Sequence, residues 1–516
     1  NIFFMIVFDS APADRRFLAG VLFFCACASL ASSAWCIHID DVVNNDAVEY
    51  IRAAELFAAR NWSAAFNVHQ WPFFSALMWI TSAVLDVDYE VAGYILNTVF
   101  FTAAPIFFVL SVHAFGGTSR RILTIAALVA VLHPSFNEYR AYIIRDAGYL
   151  AFYLVALFCF ARHSTMPSRA TVFGAIVALI LASLFRIEGV VFLLATPLLF
   201  VATRQNTNGH LWKRLSILLV STVLLAIILG WWLIAPSIQS ASESLLSNPL
   251  HVVMSAWAHI SDMVSQKMTV LRSEFLSPYS AEYAWVLFVF AVGMLLLSAT
   301  FTQLTIPWAL FIIGGLWAGL RFEHKSQNRL WLSLVSMHLS ILLVFTVIKL
   351  FLVARYPLAL TITVLMLAPF AVNRMFSVSA WRRLSGLRRA LITLLIVWGI
   401  GESVSGLDNV TRAGAIKDAG RWLATQSSTA ESVVTNDRRL AYYAGRHQDL
   451  EYVESSVSKI LHGLRGGLWP DAVYVALRVS RSDQTSETWI LEALGAAPLR
   501  IVDSGIGDRV MIYYRP

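Results

Sequence analysis

The sequence is poor in charge and lacks the short motifs of soluble nucleotide-dependent enzymes. Charged residues make up 14% of the chain, against about 25% in an ordinary soluble domain. It contains no GxxxxGK[ST] phosphate loop, which argues against an ATP-driven pump, and no GxGxxG after a strand, HExxH or GxSxG. The four cysteines lie in or beside apolar runs without CxxC spacing, so neither a zinc site nor a disulfide framework is indicated.

Long apolar runs are abundant instead, and 58% of the residues are hydrophobic. Runs of about 20 apolar residues are typical of membrane-spanning helices, whereas barrel strands alternate in polarity. The sequence therefore predicts a polytopic α-helical membrane protein with about 11–13 transmembrane helices. The first run lacks a small-residue cleavage site, which favours a retained helix. The predicted spans are 17–37, 89–112, 121–135, 147–162, 170–186, 188–203, 213–235, 283–300, 303–320, 331–350, 356–373 and 388–404.

Basic residues predict the orientation of these spans. Alternation places four basic clusters on one side, which the positive-inside rule makes the cytoplasm. The same rule explains the modest positive net charge without nucleic acid as a partner. These clusters are Arg15 and Arg16; Arg120 and Arg121; Arg162 and Arg169; and Arg204, Lys213 and Arg214. The acidic stretch 38–62 and the loops 135–146 and 236–282 are then expected outside.

The second half is less regular. The arginines of residues 374–389 predict a cytoplasmic loop, which places Arg355 and the C-terminal tail outside. Three apolar runs lie between the outer loop 236–282 and Arg355. Both of these positions are expected outside, so an even number of crossings must separate them. Either one run is not a simple crossing or a further crossing is hidden. We predict a transmembrane domain over 1–404, with an outer loop at about 38–88, and a periplasmic α/β domain over 405–516. Strand-like stretches in that domain are "SVVTN", "DAVYVALRV" and "RVMIYY", and helix-like ones are "AIKDAGRWLATQ", "SVSKILHGL" and "SETWILEALGAA".

The first outer loop carries the densest acidic cluster of the chain, formed by Asp40, Asp41, Asp46, Glu49 and Glu55. Asp46 and Tyr50 are four residues apart and share a face if 46–60 is helical. Acids can accumulate outside simply because basic residues stay inside. Negative residues contribute little to topology, however, and a general base at the membrane face needs such a carboxylate.

Three further groups of residues are candidates for a site. The second outer loop holds Arg140 and Arg145 and leads to Asp146, whose position at a helix start is also explained by the helix dipole. Arg186 and Glu188 lie near membrane depth, where charges are either functional or simply paired.

Arg355 and Tyr356 lie at the outer end of a span. They are suited either to a phosphate clamp or to interfacial anchoring with a snorkelling arginine.

Together these features resemble the C-type (GT-C) integral-membrane glycosyltransferase superfamily, in the branch of the protein O-mannosyltransferases and lipid A aminoarabinose transferases. The family's D-E-x-x-Y-like motif is matched by Asp46 and Tyr50, although Ala47 replaces its second acid. The family's "HPP" segment is resembled by "HQWP", His69 to Pro72, which opens an apolar helix. The family's Arg-Tyr pair is matched by Arg355 and Tyr356. "RDAGYLAFYL" resembles the second-loop acid segment and supplies Asp146.

The resemblance implies a glycosyltransferase of the bacterial inner membrane with its active site facing the periplasm. The donor would be a polyprenyl-phosphate-linked sugar among the membrane lipids, and the acceptor a lipid, glycan or protein. A divalent metal is possible but not indicated. The resemblance implies Asp46 as general base and Asp146 as a second catalytic acid. Donor binding would fall to Arg355, Tyr356, Tyr50 and His69, with lesser candidates Asp40, Asp41, Glu49, Arg140, Arg145, Arg186 and Glu188.

Two other functions remain open from the residues. A transporter or flippase of lipid-linked substrates would show inverted repeats with broken helices in matching positions, and no such pairing stands out. A non-enzymatic sensor or assembly protein, with a ligand on the C-terminal domain, would leave the acids of the first loop without a role. The tail aromatics Trp422, Tyr442 and Tyr443 are expected to form core.

Overall fold

A computed structural model describes residues 12–40, 42–203, 261–376, 385–407, 414–426, 432–448, 452–454, 456–480, 484–503, 505 and 508–515. Asp41 and the predicted span 213–235 lie outside these ranges. The described part is mostly helical, and a small sheet occurs towards the C-terminus. The prediction of a polytopic α-helical membrane protein with a C-terminal α/β region is confirmed.

Most α-helices described within the first 405 residues coincide with predicted apolar runs, although three of them lie in the predicted outer loop 38–88. In chain order they are α1 (Pro12–Ile39), α2 (Asn45–Ala58), α3 (Trp62–Val68), α4 (Phe73–Leu85), α5 (Tyr89–Ala114), α6 (Arg120–Leu132), α7 (Asp146–Thr165), α8 (Arg169–Phe185), α9 (Ile187–Ala202), α10 (Ala284–Leu304), α11 (Ile306–Trp317), α12 (Lys325–Lys349), α13 (Leu358–Leu365), α14 (Ala368–Met375) and α15 (Gly386–Ser405).

Six stretches of the described residues are long and apolar enough to cross a membrane. They are Asp14–Ile39, Tyr89–Ala114, Asp146–Thr165, Ala281–Leu304, Lys325–Lys349 and Leu358–Met375. Helix α11 has only 12 residues, which is about 18 Å at 1.5 Å per residue, against an apolar core about 30 Å thick. Of the three apolar runs before Arg355, α11 is therefore the one whose length is too short for a simple crossing.

The chain folds into two compact units. The first, the helical unit, comprises Asn1–Ser32, Thr98–Tyr139 and Arg145–Leu407. The second, the mixed unit, comprises Ser33–Asn97, Arg140–Ile144 and Asp408–Pro516. The predicted domains drew the division differently, because they grouped the first outer loop with the spans rather than with the tail.

Close helix packing in the helical unit depends on two glycines. Helices α7 and α8 form an antiparallel hairpin, and a Cβ built on Gly148 would lie 2.3 Å from the ring of Phe185. A Cβ on Gly189 of α9 would lie 2.4 Å from the backbone nitrogen of Ser183. Any larger residue at either position would force these helices apart, because real Cβ contacts of this length do not occur. The glycines therefore bring the start of α7 next to the α8–α9 junction.

The tail of the mixed unit is a four-stranded sheet with helices. Its elements are α16 (Gly414–Gln426), β1 (Ser432–Thr435), α17 (Arg438–Tyr443), α18 (Val457–Arg465), β2 (Ala472–Val479), α19 (Gln484–Leu494), β3 (Arg500–Asp503) and β4 (Arg509–Tyr514). The strand order is β1-β2-β4-β3. Strand β1 is parallel to β2, with Val434 opposite Val475, and the other pairs are antiparallel.

Each face of this sheet has its own apolar core. One face packs Ala476 and Ile512 against α16 and α17, and Trp422 and Tyr443 lie at the margin of this cluster. The other face packs Val475 and other residues against α18 and α19. Trp422 and Tyr443 thus pack against the core, as expected, whereas Tyr442 donates a hydrogen bond to Glu90, in the first turn of α5, at 3.1 Å.

Candidate functional site

A small charged cavity lies among α7, α9, α12 and the segment that leads into α13, all in the helical unit. Its volume is about 20 Å³, which is room for about one water molecule. Any larger ligand therefore requires its walls to move. The cavity is lined by Asp146, Tyr149, Leu150, Arg186, Glu188, His338, Ile341, Leu342, Arg355, Tyr356, Leu358 and Ala359.

Arg186 is the centre of the ion cluster in this cavity. It caps the start of α9 in an extended conformation, with φ −146° and ψ 145°. Its Nε lies 3.1 Å from both carboxylate oxygens of Glu188, and its Nη1 donates to Asp146 Oδ1. The side chains of Arg186, Asp146 and Glu188 are 12%, 7% and 19% exposed. A buried cation held by two carboxylates explains why this charge is tolerated at membrane depth.

Two aromatic rings complete the surroundings of Arg186. Its guanidinium carbon lies 5.1 Å from the ring centroid of Tyr356 and 5.9 Å from that of Tyr149, within cation–π range. Tyr149 is three residues after Asp146 on α7, so both occupy one face of that helix. The predicted pair Arg186–Glu188 is therefore present, and Asp146 and the two tyrosines join it.

Arg355 lines the cavity from the segment before α13. It is half-buried, and its guanidinium carbon lies 5.9 Å from the ring of Tyr356. Its charge acts on Asp146 together with that of Arg186. Residues 351–357 have no regular secondary structure between α12 and α13, and Leu350 before them has a positive φ of 53°. Arg355 and Tyr356 are thus carried on a loop rather than on a helix.

Two lining residues were not predicted from the sequence. The hydroxyl of Tyr149 and Nε2 of His338 are buried and have no hydrogen-bond partner among the described residues. The imidazole of His338 is held by the rings of Tyr153 and Phe192, with centroids at 4.9 and 4.6 Å. A buried polar atom without a partner is costly, so both atoms are suited to a polar ligand. His338 could have been found from the sequence as a histidine inside an apolar span, because an ionisable residue in such a span is by default a functional candidate.

The first outer loop forms a second set of candidate residues, within the mixed unit. Helix α2 begins at Asn45, so Asp46 lies in its first turn and Tyr50 one turn later, as predicted. Asp46 is half-buried and Tyr50 is buried. The ring of Tyr50 lies 5.1 Å from the ring of His69 and 5.3 Å from that of Phe74. Two predicted donor-binding residues, Tyr50 and His69, are therefore in contact.

Two other acids of this loop, Glu49 and Glu55, contact the tail. Glu49 forms an ion pair with Arg438, and His447 Nε2 lies 2.9 Å from Glu55 Oε1. Burial of Glu55 opposes its ionisation, but hydrogen bonds and charges from His447 and Arg52 outweigh burial and lower its pKa. These contacts give Glu49 and Glu55 a structural role within the mixed unit.

The remaining candidates are dispersed. Asp40 is buried and its Oδ1 accepts a hydrogen bond from the backbone of Val42 at 3.4 Å. Arg140 is buried and donates to Ser33 Oγ at 2.8 Å, and burial lowers its pKa to about 10. Arg145 precedes α7 and adds positive charge near Asp146. Within the described residues, no group of three or more His, Cys, Asp or Glu side chains is placed to hold a metal ion.

Comparisons with known proteins give little beyond this geometry. No protein-family model matches the chain, and no curated protein matches it. Among solved structures, the chain is similar to an oligosaccharyltransferase from Archaeoglobus fulgidus that was tethered to an acceptor peptide containing the NVT sequon. The TM-score is 0.49 and the identity 12%, over 88% of this chain and 69% of that chain. A likeness at this level carries no function, so function is inferred from the site residues.

Proposed function

We propose that this protein is a membrane glycosyltransferase of the C-type. It transfers a sugar from a polyprenyl-phosphate-linked donor to a lipid, glycan or protein acceptor, on the periplasmic side of a bacterial inner membrane. The observation that carries the proposal is the cavity in which Arg186 and Arg355 meet Tyr149 and His338 among apolar helices. Such a site offers guanidinium and hydroxyl donors to an anionic head group while its lipid tail stays in the bilayer.

Arg355 is the residue that we assign to the donor phosphate. Arg186 is already held by Asp146 and Glu188, so its place is fixed before any ligand arrives. Arg355 lies on the loop between α12 and α13 and presents a planar fork that matches phosphate oxygens. Movement of this loop would also enlarge a cavity that is too small for a phosphate group in its present form. Tyr149 supplies a further hydroxyl donor to the head group.

The reaction is a direct displacement at the anomeric carbon. The acceptor nucleophile forms a bond to that carbon while the bond from the carbon to the phosphate oxygen breaks. The leaving group is polyprenyl phosphate, whose negative charge Arg355 stabilises. A carboxylate takes the proton of the acceptor, and we assign this role to Asp46 from its D-x-x-x-Y spacing with Tyr50 on α2. Inversion at the anomeric carbon is the expected outcome.

Asp146 has a positioning role in this proposal. The resemblance implied it as a second catalytic residue that orients the acceptor or assists. Its carboxylate accepts a hydrogen bond from Arg186 and is buried, so it is not available to take a proton from an acceptor without breaking that pair. Its location at the first residue of α7 also places it at the positive end of the helix dipole. We therefore assign Asp146 to holding Arg186 in the wall of the cavity.

The test is transfer of label from polyprenyl-phosphate sugars in membranes that contain the full chain. Compared with the wild type, Arg355→Ala should need more donor for half-maximal rate. Loss of charge-assisted hydrogen bonds of about 1.5–3 kcal/mol corresponds to roughly 10- to 150-fold. Arg355→Lys should recover only part of this loss. Arg272→Ala is the matched control, because Arg272 is exposed and does not line the cavity.

Two outcomes would contradict the proposal. If Arg355→Ala keeps the donor dependence of the wild type and only lowers the amount of folded protein, Arg355 is an interfacial anchor. If the wild type moves labelled donor across the membrane without transferring sugar from any donor, the protein is a transporter of lipid-linked substrates.

A further inference from the structure

A second, larger cavity lies on the helical unit and is independent of the charged site. It is a groove of about 550 Å³ between α6, α11, α14 and α15. Its lining is almost entirely apolar, with arginine at one position and small hydroxyl side chains at two others. The lining residues are Arg121, Thr124, Ile125, Leu128, Val129, Leu132, Trp308, Phe311, Val372, Phe376, Leu395, Ile396, Gly399, Ile400 and Ser403.

The two long walls of this groove run in the same direction. A Cβ built on Gly406, directly after α15, would lie 3.2 Å from Cα of Pro134, just beyond α6. The C-terminal ends of α6 and α15 therefore meet, and their N-terminal ends lie at the opposite end of the groove. At that opposite end, Arg121 Nη2 donates to the carbonyl of Phe376, 2.5 Å away, at the end of α14. The start of α6 and the end of α14 therefore meet there, and the N-terminal part of α15 runs towards the same end.

Arginines concentrate at this end, which we call the basic end of the groove. Arg121 is in the first turn of α6 and lines the groove itself. Arg388 and Arg389 precede the lining residues Leu395 and Ile396 by seven positions, so they extend the same face of α15 by two turns. Arg374 lies in the last turn of α14.

The charge at the basic end is only partly compensated. Arg120 is the neighbour of Arg121 and pairs with Asp14 at 3.5 Å. Glu323 approaches the glycine turn before α6, where its Oε2 is 3.9 Å from a Cβ built on Gly116. Within the described residues, the arginines at positions 120, 121, 374 and 388 outnumber these two acids at the basic end. The same end is the one that the sequence predicts to face the cytoplasm.

The depth of the groove depends on a glycine opposite a tryptophan. A Cβ built on Gly399 would lie 3.5 Å from Pro307 Cβ and 3.8 Å from Trp308 Nε1. That indole nitrogen is buried and has no hydrogen-bond partner among the described residues. Glycine at 399 keeps the groove open beside the indole, and the unused N–H is available to an ester carbonyl of a lipid.

We propose that this groove binds an anionic phospholipid of the membrane. One acyl chain occupies the apolar groove, and the phosphate is held at the basic end by Arg121 with Arg388. Basic pockets between transmembrane helices on the cytoplasmic side are suited to anionic head groups, and arginine binds phosphate oxygens through paired N–H groups. The proposal does not depend on the glycosyltransferase function, because neither Arg121 nor Gly399 lines the charged cavity.

The test uses the purified full-length protein in a neutral detergent. Phosphatidylglycerol, phosphatidylcholine or inorganic phosphate is added, and the thermal unfolding temperature is followed as a function of concentration. Phosphatidylglycerol should raise it saturably, since a ligand that binds only the folded state stabilises that state. Phosphatidylcholine should act at least tenfold more weakly, and inorganic phosphate should have no comparable effect.

Three variants locate the binding. The double variant Arg121→Gln/Arg388→Gln removes charge at the basic end, and Gly399→Leu fills the groove while leaving every arginine in place. Each should raise the phosphatidylglycerol concentration for half-maximal effect at least tenfold. Arg169→Gln is the control, because Arg169 is an exposed arginine on the same predicted side but outside the groove, and it should bind like the wild type.

The proposal is overturned if phosphatidylcholine stabilises as well as phosphatidylglycerol, or if Gly399→Leu retains wild-type response. Equal losses in Arg169→Gln would show a diffuse effect of charge rather than a site. Should the double arginine variant not fold, Gly399→Leu alone decides the question. If polyprenyl phosphate stabilises the protein more strongly than phosphatidylglycerol, and Gly399→Leu abolishes this effect, the ligand of the groove is the carrier lipid and the phospholipid proposal is wrong.

Discussion

Replacing Arg186 with glutamine should destabilise the folded protein far more than replacing Arg355 with glutamine. Arg186 contacts Asp146 and Glu188, whose side chains are only 7% and 19% exposed. Its removal leaves two carboxylates close together without their guanidinium. Breaking a buried ion pair by removing one partner costs about 3–5 kcal/mol, because the remaining charge is not compensated.

Arg355→Gln removes a charge that is half-buried on a loop. Arg186 still compensates both carboxylates in that variant, so the expected cost is about 1 kcal/mol or less, as for partly exposed pairs. The comparison separates the two arginines by role. We expect Arg186→Gln to affect mainly folding stability, whereas under the proposed function Arg355→Gln affects mainly donor binding.

The assay is denaturant or heat unfolding of the purified variants in one detergent. A triple variant, Asp146→Asn/Arg186→Gln/Glu188→Gln, serves as the matched control because it removes the arginine and both acids together. It should recover most of the stability lost in Arg186→Gln, since no uncompensated charge stays buried. Wild-type stability in Arg186→Gln would refute the reasoning and would mean that water reaches the two carboxylates.

Three further predictions concern the mixed unit. Asp46→Asn should lower the rate of sugar transfer about 10²–10⁴-fold without loss of folding or membrane insertion. If Asp46→Asn is fully active and Asp40→Asn or Asp41→Asn is inactive, the general base is that other aspartate. A reporter fused after residue 516 should be active only if it is a periplasmic reporter. If only a cytoplasmic reporter is active there, the topology of the second half is reversed and Arg355 does not lie on the outer face. The pKa of Asp437 is lowered overall: burial alone would raise it, but hydrogen bonds and charges of neighbouring arginines outweigh burial. The ionised carboxylate therefore stabilises the folded protein above about pH 4, and this stabilisation is lost as pH falls through the folded-state pKa. Asp437→Asn should thus be less stable than the wild type at pH 7 in thermal unfolding, and the difference should shrink below about pH 4; a constant difference would contradict the assignment.

The helices were predictable because apolar length is a strong local signal. The run 89–112 became Tyr89–Ala114, and the three strand-like stretches of the tail became β1, β2 and β4. Strand β3 was missed, because Arg500–Asp503 is short and mostly exposed and shows no alternation of burial. Helix α17 was missed because six residues are too few to establish a helical period.

The candidate site was predictable in part. Arg186 and Glu188 are two residues apart, so their pairing is visible in the sequence. Asp146 joins them only because Gly148 admits the ring of Phe185 and closes α7 against the α8–α9 junction, a tertiary contact that no local pattern encodes. His338 was detectable as a polar residue within an apolar run, but its placement beside Tyr149 depends on how α12 packs.

The charges of the cavity bear on the kind of donor that it suits. Two arginines, 186 and 355, face two carboxylates, Asp146 and Glu188, so the four formal charges cancel before a ligand binds. A phosphodiester brings one negative charge into this neutral site and a diphosphate ester at least two, and uncompensated charge is costly where water is scarce. Arg145 adds positive charge near Asp146, which is enough to balance one phosphate but not two. If the proposed function holds, the electrostatics of the cavity therefore favour a donor whose sugar is linked through a single phosphate over one linked through a diphosphate.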